Sequence, residues 1–399
     1  MSEAPDLVLV GASVRSMAES AVRAGFRPRC YDMFGDADLR NLLRSVGGKW
    51  SEFVDWSQVF SGHLTKRTPL IVSGGLESSV PRDSDSLFQI CCPDSAAVAE
   101  ISNPAVFFPL LKNAGIEFPV WQRETPPDKS ERWLVKTRQT SGGLGVSTWN
   151  HSFNNHSPFR YFQHYVPGVP ASATFASDGC RSQLLGTSLV LSGCPEIGGT
   201  AFQFCGNVAP VGFSKEVQQN IMRAGEEIVR KWKIRGVFGV DFVLTDYGVC
   251  ILECNPRITA SHDLHELSGN GINHIALQAQ LYQDPPLMPV VRNQSNGRPP
   301  QVRLILWATE DIVVDQRLSE YLLHFPACRD RSVQAGFADI PAVGAEVKAG
   351  TPFCSVYISL ADAQREQLES LLGPLPFEWD AGQLLQEIQA RYQLVCSGF

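Results

Sequence analysis

Hydrophobic and polar positions in the first hundred residues alternate between short apolar runs and stretches with helical spacing. Apolar runs at Asp6–Val10, Arg29–Tyr31 and Pro69–Val72 predict three strands. Between the first two runs, Val14–Ala24 carries small and apolar residues at the spacing of one helix face. This order of strand, helix and strand predicts a parallel sheet with helices on its faces.

The pattern changes twice beyond this segment. Residues 103–119 predict a connecting helix, which Pro104 opens and Gly115 closes. From Trp133 onward, short strands alternate with glycine-rich turns, and the polar run Arg292–Pro300 then separates a last segment. The elements predicted in that last segment are strands at Val302–Trp307 and Phe353–Ile358 and helices near 361–372 and 380–392.

Composition and charge narrow the class of protein. A chain of 399 residues suggests two or three domains, and 44% hydrophobic against 19% charged residues is enough to build cores. The 41 acidic residues outnumber 34 basic ones without a basic block, so nucleic acid is not expected as a partner. The N-terminus lacks the basic region of a signal peptide, and no apolar stretch is long enough to span a bilayer. We therefore expect a cytoplasmic protein with no membrane partner.

The 11 cysteines are scattered, without a C-x-x-C pair or a cysteine–histidine spacing typical of zinc sites. In a chain without an export signal they are expected to be free thiols, many of them buried as small hydrophobic residues. No cysteine is paired in the sequence with a positioned histidine, so a catalytic cysteine is not favoured.

A dinucleotide site in the first domain is one alternative that the sequence raises. Asp32 follows the second predicted strand, where an acidic residue would bind a ribose. However, the first turn reads Gly11-Ala12-Ser13-Val14-Arg15-Ser16, which keeps only the first glycine of the G-x-G-x-x-G fingerprint. Because the missing glycines are those that admit the pyrophosphate, we favour a doubly wound domain whose first turn holds no dinucleotide.

Three clusters carry candidate chemistry, and the first joins a lysine to a glycine loop. A predicted strand delivers Lys136, and Ser141-Gly142-Gly143-Leu144-Gly145-Val146-Ser147 follows within a few residues. Glycines in this arrangement let backbone N–H groups approach a polyphosphate, although a plain hairpin turn would show the same glycines. The Gly-Lys-Ser/Thr of a Walker A loop is absent.

The second cluster is an apolar strand that ends in Pro-Gly, Tyr161-Phe162-Gln163-His164-Tyr165-Val166-Pro167-Gly168. Such a segment suits a hinge between two lobes, with backbone amides reading the edge of an adenine. Taken without the other clusters, it indicates only a strand and a turn.

The third cluster is the most specific. Residues 239–244 and 249–257 form two apolar segments around a Tyr-Gly turn, which predicts a hairpin. Asp241 lies on the first strand, and Glu253 and Asn255 on the second point to the same face because they are two residues apart. Two carboxylates and an amide oxygen are hard ligands of the kind that Mg²⁺ takes. A surface hairpin with solvated acids is the alternative, disfavoured because polar residues inside apolar strands are costly unless they are used.

With Arg257 these residues complete a D-F…E-x-N-P-R motif. Together with the lysine, the glycine loop and the hinge, the motif resembles the ATP-grasp superfamily of carboxylate–amine ligases over roughly residues 1–290. The resemblance implies an α/β fold of three domains. These are a pre-ATP-grasp parallel-sheet domain at 1–102, a two-lobed α+β ATP-grasp domain at 103–290 with a central lobe at about 120–168, and a small C-terminal α+β domain at 301–399.

Within the superfamily, the chain looks like the carboligases that include tyramine–glutamate ligase and enzymes linked to methanopterin-type and methanofuran-type cofactor synthesis. The stretches that carry this likeness are Gly11–Ser16, Ser73-Gly74-Gly75-Leu76-Glu77, and Asp339-Ile340-Pro341 through Gly350-Thr351-Pro352-Phe353-Cys354.

By position, the resemblance implies a role for each motif residue. Lys136 would contact the α- and β-phosphates of ATP, Gly142–Ser147 would cover the triphosphate, and Gln163–Val166 would bind adenine. Arg257, on the strand parity of Asn255, would stabilise the transferring phosphoryl group. The expected metal ligands, for Mg²⁺ or alternatively Mn²⁺, are Asp241, Glu253 and Asn255. The expected catalytic residues are Arg257 and Lys136, and the expected nucleotide contacts are Lys136, Ser141, Gly142, Gly143, Gly145, Val146, Gln163, His164, Tyr165 and Val166.

The resemblance implies a ligase that joins an amino-acid-like carboxylate to an amine through an acyl phosphate, with ATP converted to ADP and phosphate. Its partners would be small molecules, and a homodimer is expected by analogy. Two alternatives stay open: an ATP-grasp module that binds nucleotide without turnover, and an NAD(P)-dependent oxidoreductase that uses the first domain.

Two positions depart from the family pattern. Ser102-Asn103-Pro104 stands where many members have a second phosphate-binding lysine, and Val169-Pro170-Ala171 stands where many have an acid for the ribose. Both departures favour weaker ATP binding. His262 and His265 follow the metal motif closely, but the H-E-x-x-H order is absent, so a substrate pocket is favoured over zinc.

Overall fold

The computed structural model describes residues 6–61, 67–81, 88–126, 132–138, 140–150, 157, 159–267, 271–289, 299–325, 335–360, 368, 370–377 and 380–396. Its first part is a five-stranded parallel sheet in the order β3-β2-β1-β4-β5. The strands are β1 (Asp6–Gly11), β2 (Arg27–Asp32), β3 (Lys49–Glu52), β4 (Thr68–Val72) and β5 (Phe88–Ile90), and the helices are α1 (Arg15–Arg23), α2 (Ala37–Val46) and α3 (Trp56–Phe60).

Both faces of this sheet are buried, which explains the continuous apolar run of β1. Leu7 and Leu9 belong to the hydrophobic cluster on one face, and Val8 and Val10 belong to the cluster on the other. The parallel sheet predicted from the sequence is therefore confirmed, with strand ends within two residues of the predicted ones.

Two helices lead from this sheet into a small antiparallel sheet, the central lobe. They are α4 (Ser95–Ile101) and α5 (Pro104–Asn113), and Asn103 caps α5 by accepting a hydrogen bond from the Ala105 N–H at 3.2 Å. The central lobe has the strand order β6-β9-β7-β8, and Trp133, Val135 and Trp149 form its core. Its strands are β6 (Trp121–Gln122), β7 (Trp133–Thr137), β8 (Val146–Thr148) and β9 (Arg160–His164).

The rest of the described chain builds an eight-stranded sheet, the large sheet, in the order β14-β13-β10-β11-β12-β15-β19-β17. Its strands are β10 (Val169–Asp178), β11 (Ser182–Ser192), β12 (Phe204–Ala209), β13 (Arg235–Thr245), β14 (Gly248–Asn255), β15 (Gln301–Trp307), β17 (Ala335–Ala338) and β19 (Pro352–Ser359). The other elements are β16 (Ile312–Val313), β18 (Glu346–Val347), α6 (Lys215–Trp232), α7 (His262–Leu267), α8 (His274–Leu281), α9 (Gln316–His324) and α10 (Ala381–Cys396).

The C-terminal strands continue the large sheet rather than forming a sheet of their own. β12 pairs with β15 from Gly206↔Leu304 to Ala209↔Gln301, and one hydrophobic core runs under both parts. The domain boundaries proposed from the sequence stay a prediction, but no gap in the sheet marks the one near residue 300. The strands predicted at Val302–Trp307 and Phe353–Ile358 and the helix near 380–392 are present, whereas the one near 361–372 lies largely outside the described residues.

Helix α6 is absent from the elements predicted above, although its sequence carries a clear helical pattern. Val217, Ile221, Ala224 and Ile228 repeat at the spacing of one helix face and are buried. Ser214 caps its N-terminus by accepting a hydrogen bond from the Val217 N–H at 3.3 Å. The helix covers one face of the large sheet, against β10, β11 and β14.

A buried ionic cluster holds the first domain against the C-terminal strands. Arg15 of α1 has no exposed surface, and its Nε lies 2.8 Å from Asp339 Oδ1. The same guanidinium donates to the Tyr357 hydroxyl at 2.9 Å, and Arg303 of β15 donates to Asp339 at 2.9 Å. Because each guanidinium is paired, the burial of these charges is compensated.

The nine cysteines whose side chains are described are free thiols, eight of them buried, in agreement with the prediction. Within the described part of the chain, no helix combines the length and the apolar character that crossing a membrane requires.

Candidate functional site

A cavity of about 640 Å³ opens between the central lobe, the large sheet and the turn that follows β4 of the first domain. Its volume is within the range of about 300 to 1,000 Å³ that is typical of small-molecule sites. Its wall includes residues from all three predicted motif clusters, namely Lys136, Ser141, Gly142, Gly143, Val146, Gln163, Tyr165, Val166, Asp241, Glu253, Asn255 and Arg257.

The hairpin of β13 and β14 places three oxygen-bearing side chains on this wall. Asp241 lies directly opposite Glu253 in the antiparallel register, and a bulge follows the pair. Asn255 is two residues beyond Glu253 on the same face, and its Nδ2 donates to Asp241 Oδ2 at 2.8 Å. This hydrogen bond fixes the orientation of the amide, with its nitrogen toward Asp241 and its oxygen on the opposite side of the group.

Lys136 connects the central lobe to this hairpin. Its Nζ lies 2.9 Å from Glu253 Oε2. Burial lowers the pKa of Lys136, but the Glu253 charge and the Tyr161 hydroxyl outweigh it and hold the pKa above its ordinary value. The Lys136 charge in turn holds the pKa of Glu253 below its usual range. The pair is therefore ionised at neutral pH.

Asp241 is in a different electrostatic state from Glu253. Burial, and next the nearby Glu253 charge, raise the pKa of Asp241 to about 6. Two carboxyl groups that repel each other in a partly buried site are stabilised by a cation placed between them. The two carboxylates are hard donors that fit a divalent cation such as Mg²⁺, and the amide oxygen of Asn255 would join them once the amide is turned over from its hydrogen bond to Asp241.

The glycine loop is held against the large sheet. Gly143 has a φ of +76°, and a Cβ at this position would overlap the carbonyl oxygen of Phe202. The Phe204 N–H donates to the Gly142 carbonyl at 3.0 Å, so the loop is fastened on the side away from the lobe. Gly145 is not on the cavity wall and packs instead against the side chain of Thr140.

The hinge segment offers fewer free backbone N–H groups to the cavity than its sequence suggested. Gln163, Tyr165 and Val166 line the cavity, but His164 does not, and its ring lies edge-to-face against Trp133 at 5.4 Å. The His164 N–H donates to the Val120 carbonyl and the Tyr165 N–H to the Arg132 carbonyl, each at 2.8 Å. These two amides are therefore used within the protein, which contradicts the expectation that they read an adenine.

Arg257 lines the cavity but does not continue the strand, contrary to the parity argument. β14 ends at Asn255 because Pro256 has no N–H to donate to the sheet, and the Arg257 N–H turns back onto the Asn255 carbonyl at 2.7 Å. The guanidinium Nε lies 3.5 Å from Glu77 Oε1.

Glu77 is a site residue that the sequence did not single out for chemistry. It lies in the turn after β4, is 4% exposed, and lines the cavity. Burial raises its pKa, and the charge of Arg257 opposes that rise. In the sequence it appears only as the last residue of the stretch Ser73–Glu77. No local pattern reveals its contact with Arg257, because the two residues are far apart along the chain.

The two histidines expected near substrate are not on the cavity wall. His262 and His265 are 2% and 1% exposed, and they pack with His274 behind it, with ring centroids 6.2 to 6.4 Å from that of His274. Among the residues that the structure describes, no group of three or more His, Cys, Asp or Glu side chains is placed to hold a metal ion.

Asp32, the residue behind the dinucleotide alternative, is occupied by its own chain. Its carboxylate accepts hydrogen bonds from the N–H groups of Val14 at 2.7 Å, Phe34 at 2.9 Å and Gly35 at 2.6 Å. These bonds fix the first turn and leave the carboxylate no open side for a ribose, which supports a domain without a dinucleotide.

Comparison with known proteins agrees with this geometry. Residues 101–261 match the family model described as the ATP-grasp domain. An uncharacterized protein of Methanocaldococcus jannaschii is 21% identical over 271 residues, which cover 65% of this chain. The match spans only 61% of the length of that relative.

Solved structures of similar fold cover nearly the whole chain. A carboxyaminoimidazole ribonucleotide synthase from Aspergillus clavatus, complexed with ATP, is 16% identical with a TM-score of 0.63, covering 98% of this chain and 100% of that one. An L-amino acid ligase from Bacillus licheniformis is 13% identical with a TM-score of 0.65, covering 94% and 98%. The biotin carboxylase domain of the Hydrogenobacter thermophilus 2-oxoglutarate carboxylase is 10% identical with a TM-score of 0.67, covering 98% and 94%. At such identities the likeness shows the fold, and the subgroup suggested by the sequence stays a prediction.

Proposed function

Because residues 101–261 form an ATP-grasp domain, we propose that this protein is an ATP- and Mg²⁺-dependent ligase that joins a carboxylate to an amine. The observation that carries the proposal is the convergence of Lys136, Asp241 and Glu253 from two lobes on one cavity wall. The named activities of two structural neighbours, an L-amino acid ligase and a synthase complexed with ATP, support the same class of reaction.

In the proposed complex, ATP lies along the cavity from the hinge to the hairpin. Gln163 and Val166 border the adenine end, and the glycine loop covers the triphosphate. Lys136 would supply positive charge to the phosphates, since its ammonium group has three N–H donors and Glu253 and the Tyr161 hydroxyl take two of them. The loop contact between Gly142 and Phe204 keeps this cover close to the large sheet.

The carboxylates of Asp241 and Glu253 and the amide oxygen of Asn255 would hold Mg²⁺. The ion, when bound, neutralises charge on the phosphate oxygens during transfer. The raised pKa of Asp241 supports this assignment, because a buried carboxyl beside a second one gains most from a bound cation.

The proposed reaction has two steps. A carboxylate oxygen of the substrate attacks the γ-phosphorus of ATP, and the bond from that phosphorus to the β–γ bridging oxygen breaks, giving an acyl phosphate and ADP. The amine nitrogen then attacks the acyl carbon, the C–O bond to phosphate breaks, and the amine loses a proton as the amide forms. No side-chain nucleophile is required, so the protein acts by positioning and charge compensation.

Arg257 is placed to grip the transferred group. It lies beyond Asn255 on the cavity wall, and its planar fork can donate to phosphoryl and carboxylate oxygens together. Glu77 holds the fork from the first-domain side at 3.5 Å. The acceptor carboxylate would therefore lie between the hairpin and the turn after β4.

The second candidate is an ATP-grasp module that binds nucleotide without turnover. It is favoured by the hinge, where Val169-Pro170-Ala171 offers no acid for the ribose. The intact set of Asp241, Glu253 and Asn255 favours catalysis, because a module that only binds nucleotide does not need Arg257 beside a metal set.

A substrate-pool assay tests the proposal. Purified protein is incubated with ATP, MgCl₂ and mixed amino acids and amines, and release of ADP and phosphate is followed together with new masses in the product pool. Substrate-dependent ADP release with an amide product supports the ligase. Tight ATP binding without ADP release under any pool would favour the binding module, and turnover that requires NAD(P)H would favour the oxidoreductase.

A further inference from the structure

Four cationic side chains line the cavity. Two of them lie beside a carboxylate, and a third stacks on an aromatic ring. They are Arg132, Lys136, Arg138 and Arg257. Lys136 pairs with Glu253 at 2.9 Å, and the Nε of Arg257 lies 3.5 Å from Glu77. The Arg132 guanidinium lies 3.9 Å from the centre of the Tyr165 ring.

Arg138 is held by backbone carbonyl groups instead of by a carboxylate or an aromatic ring among the described residues. Its Nε and Nη2 donate to the carbonyl oxygens of Ser102 and Ala99, each at 3.1 Å. Carbonyl groups orient a guanidinium without neutralising it, and among the described residues no carboxylate lies within ion-pair distance of Arg138. A cation held in this way on the wall of a cavity in a protein with a net charge of −7 is a binding group for an anion.

The position of Arg138 places this charge beside the proposed phosphate site. Arg138 is the first residue after β7, two residues beyond Lys136, and both residues line the cavity. Two of its five N–H donors are used by the carbonyls at the end of α4, which leaves three for a ligand.

The contact with Ser102 also brings Arg138 to the position of an expected lysine. Ser102-Asn103-Pro104 is the stretch where the sequence lacks the second phosphate-binding lysine that many ATP-grasp proteins have. The Arg138 guanidinium reaches this stretch from the central lobe and ends 3.1 Å from the Ser102 carbonyl. The missing positive charge is thus present in the cavity, delivered from the opposite side.

We propose that Arg138 is the second phosphate-binding residue of this site and replaces the lysine absent at 102–104. The inference rests on the proposed function, because it assumes that the cavity takes a nucleoside triphosphate. It differs from a purely structural role, in which Arg138 only clamps the end of α4 to the central lobe.

The test compares nucleotide binding by the wild type and by variants of the full chain, using calorimetry with MgCl₂. Arg138→Gln keeps an N–H₂ donor for the carbonyls and removes the charge, and Arg138→Lys keeps the charge. We expect Arg138→Gln to weaken ATP and ADP about 10- to 100-fold, the range for a lost charge-assisted hydrogen bond, with adenosine unchanged. Arg138→Lys should lose less, and Arg230→Gln, at an exposed surface arginine, should match the wild type.

A second-site variant separates binding from clamping. Adding Ser102→Lys to Arg138→Gln restores a cation at the position of the missing lysine, and it should recover most of the ATP affinity. A structural clamp predicts instead that adenosine and ATP weaken equally, that the melting temperature falls, and that Ser102→Lys restores neither.

The outcomes also distinguish this inference from the proposed function. If the wild type binds ATP and Arg138→Gln binds it equally well, the inference is overturned and the proposed function stands. If the wild type binds no adenine nucleotide, both are overturned.

Discussion

Lys136 and Glu253 form an ion pair of 2.9 Å between two lobes that are separated by more than a hundred residues of chain. The pair brings the expected phosphate-binding cation next to the expected metal-binding carboxylate. Glu253 is nevertheless 45% exposed at its side chain, so one face of the carboxylate remains open to the cavity. The ion pair therefore fixes the two side chains relative to each other without closing the Glu253 carboxylate off from the cavity.

Removing one metal ligand should nearly abolish turnover while the fold is kept. We expect Glu253→Gln and Asn255→Ala each to lower kcat at least a hundredfold, or about 3 kcal/mol or more of transition-state stabilisation. Circular dichroism checks the fold, and Glu227→Gln, at a surface acid paired with Arg230, serves as the control. Near-normal activity of either variant at saturating Mg²⁺ would show that the metal assignment is wrong.

Lys136→Met should weaken ATP strongly, because it removes the buried phosphate cation and leaves Glu253 without its partner. Neither NAD⁺ nor NADH should bind the wild type measurably, since Asp32 is occupied by its own turn. Calorimetry with each nucleotide measures both effects, with Lys348→Met at the exposed surface as the control. Tight NADH binding together with no response to ATP would transfer the function to the first domain.

Arg257→Lys should lower turnover and largely spare ATP affinity. A lysine keeps the charge but cannot donate through a planar fork to two groups at once. Steady-state kinetics and ATP titration of the same preparation separate the two quantities. A parallel loss of both would mean that Arg257 holds the nucleotide itself rather than the transferred phosphoryl group.

The proposed intermediate is an acyl phosphate, so its products are specific. With the correct acid, ATP and hydroxylamine in the absence of amine, we expect a hydroxamate, and ¹⁸O from a labelled carboxylate should appear in the released phosphate. The nucleotide product should be ADP. AMP and pyrophosphate as main products would contradict attack at the γ-phosphorus, even if ATP and Mg²⁺ proved essential.

Two buried histidines should make stability depend on pH. Burial is the main cause that lowers the pKa of His265 to about 3 and that of His274 to about 4, against about 6.5 in an unfolded chain. Both are neutral in the folded protein, and the unfolded chain takes up their protons as the pH falls below about 6.5. Their contribution is therefore complete above that pH and is lost toward pH 4, by roughly 2 to 3 kcal/mol between pH 7.5 and 5.5 for the two together.

A histidine variant separates the effect of the buried histidines on stability from that of buried carboxyl groups, which act in the opposite direction. The pKa of Asp38 is raised to about 7 and that of Asp241 to about 6, mainly by burial, so both groups stabilise the fold as the pH falls. The quantity to compare is therefore the slope of the free energy of unfolding, measured with urea, against pH. His274→Gln should reduce this slope below pH 6.5 by the contribution of about one proton, and His324→Gln, at an exposed position, should leave it unchanged. Equal slopes in all three proteins would show that His274 is not buried neutral.

The sequence predicts which side chains come together on the cavity wall where the residues are close together along the chain. Asp241, Glu253 and Asn255 lie on one hairpin, and strand alternation alone places them on one face. Lys136 and the glycine loop are likewise local. The parallel sheet of the first domain follows from the order of strand, helix and strand, and β1, whose side chains are buried on both faces, explains the continuous apolar run.

What the sequence does not predict depends on contacts between distant segments. The pairing of Arg257 with Glu77 and the approach of Arg138 to Ser102 are set by domain packing, which no local pattern encodes. His164 was assigned to the cavity although strand alternation turns its ring toward Trp133. The parity argument for Arg257 fails because β14 ends at Asn255, two residues before Arg257, where Pro256 has no N–H to donate to the sheet.

The junction between β12 and β15 bears on how this protein can be divided. Removing residues 301–399 would turn β12 into an open edge. Its backbone groups that face β15 would lose their partners, and the apolar residues under β15 and β19 would be uncovered. Unprotected edges recruit other strands, so a shortened chain is expected to self-associate rather than remain a monomer. The part of the chain before residue 301 is thus not expected to fold as an independent unit. An evolutionary exchange of the C-terminal segment would have to supply another strand that covers the edge of β12.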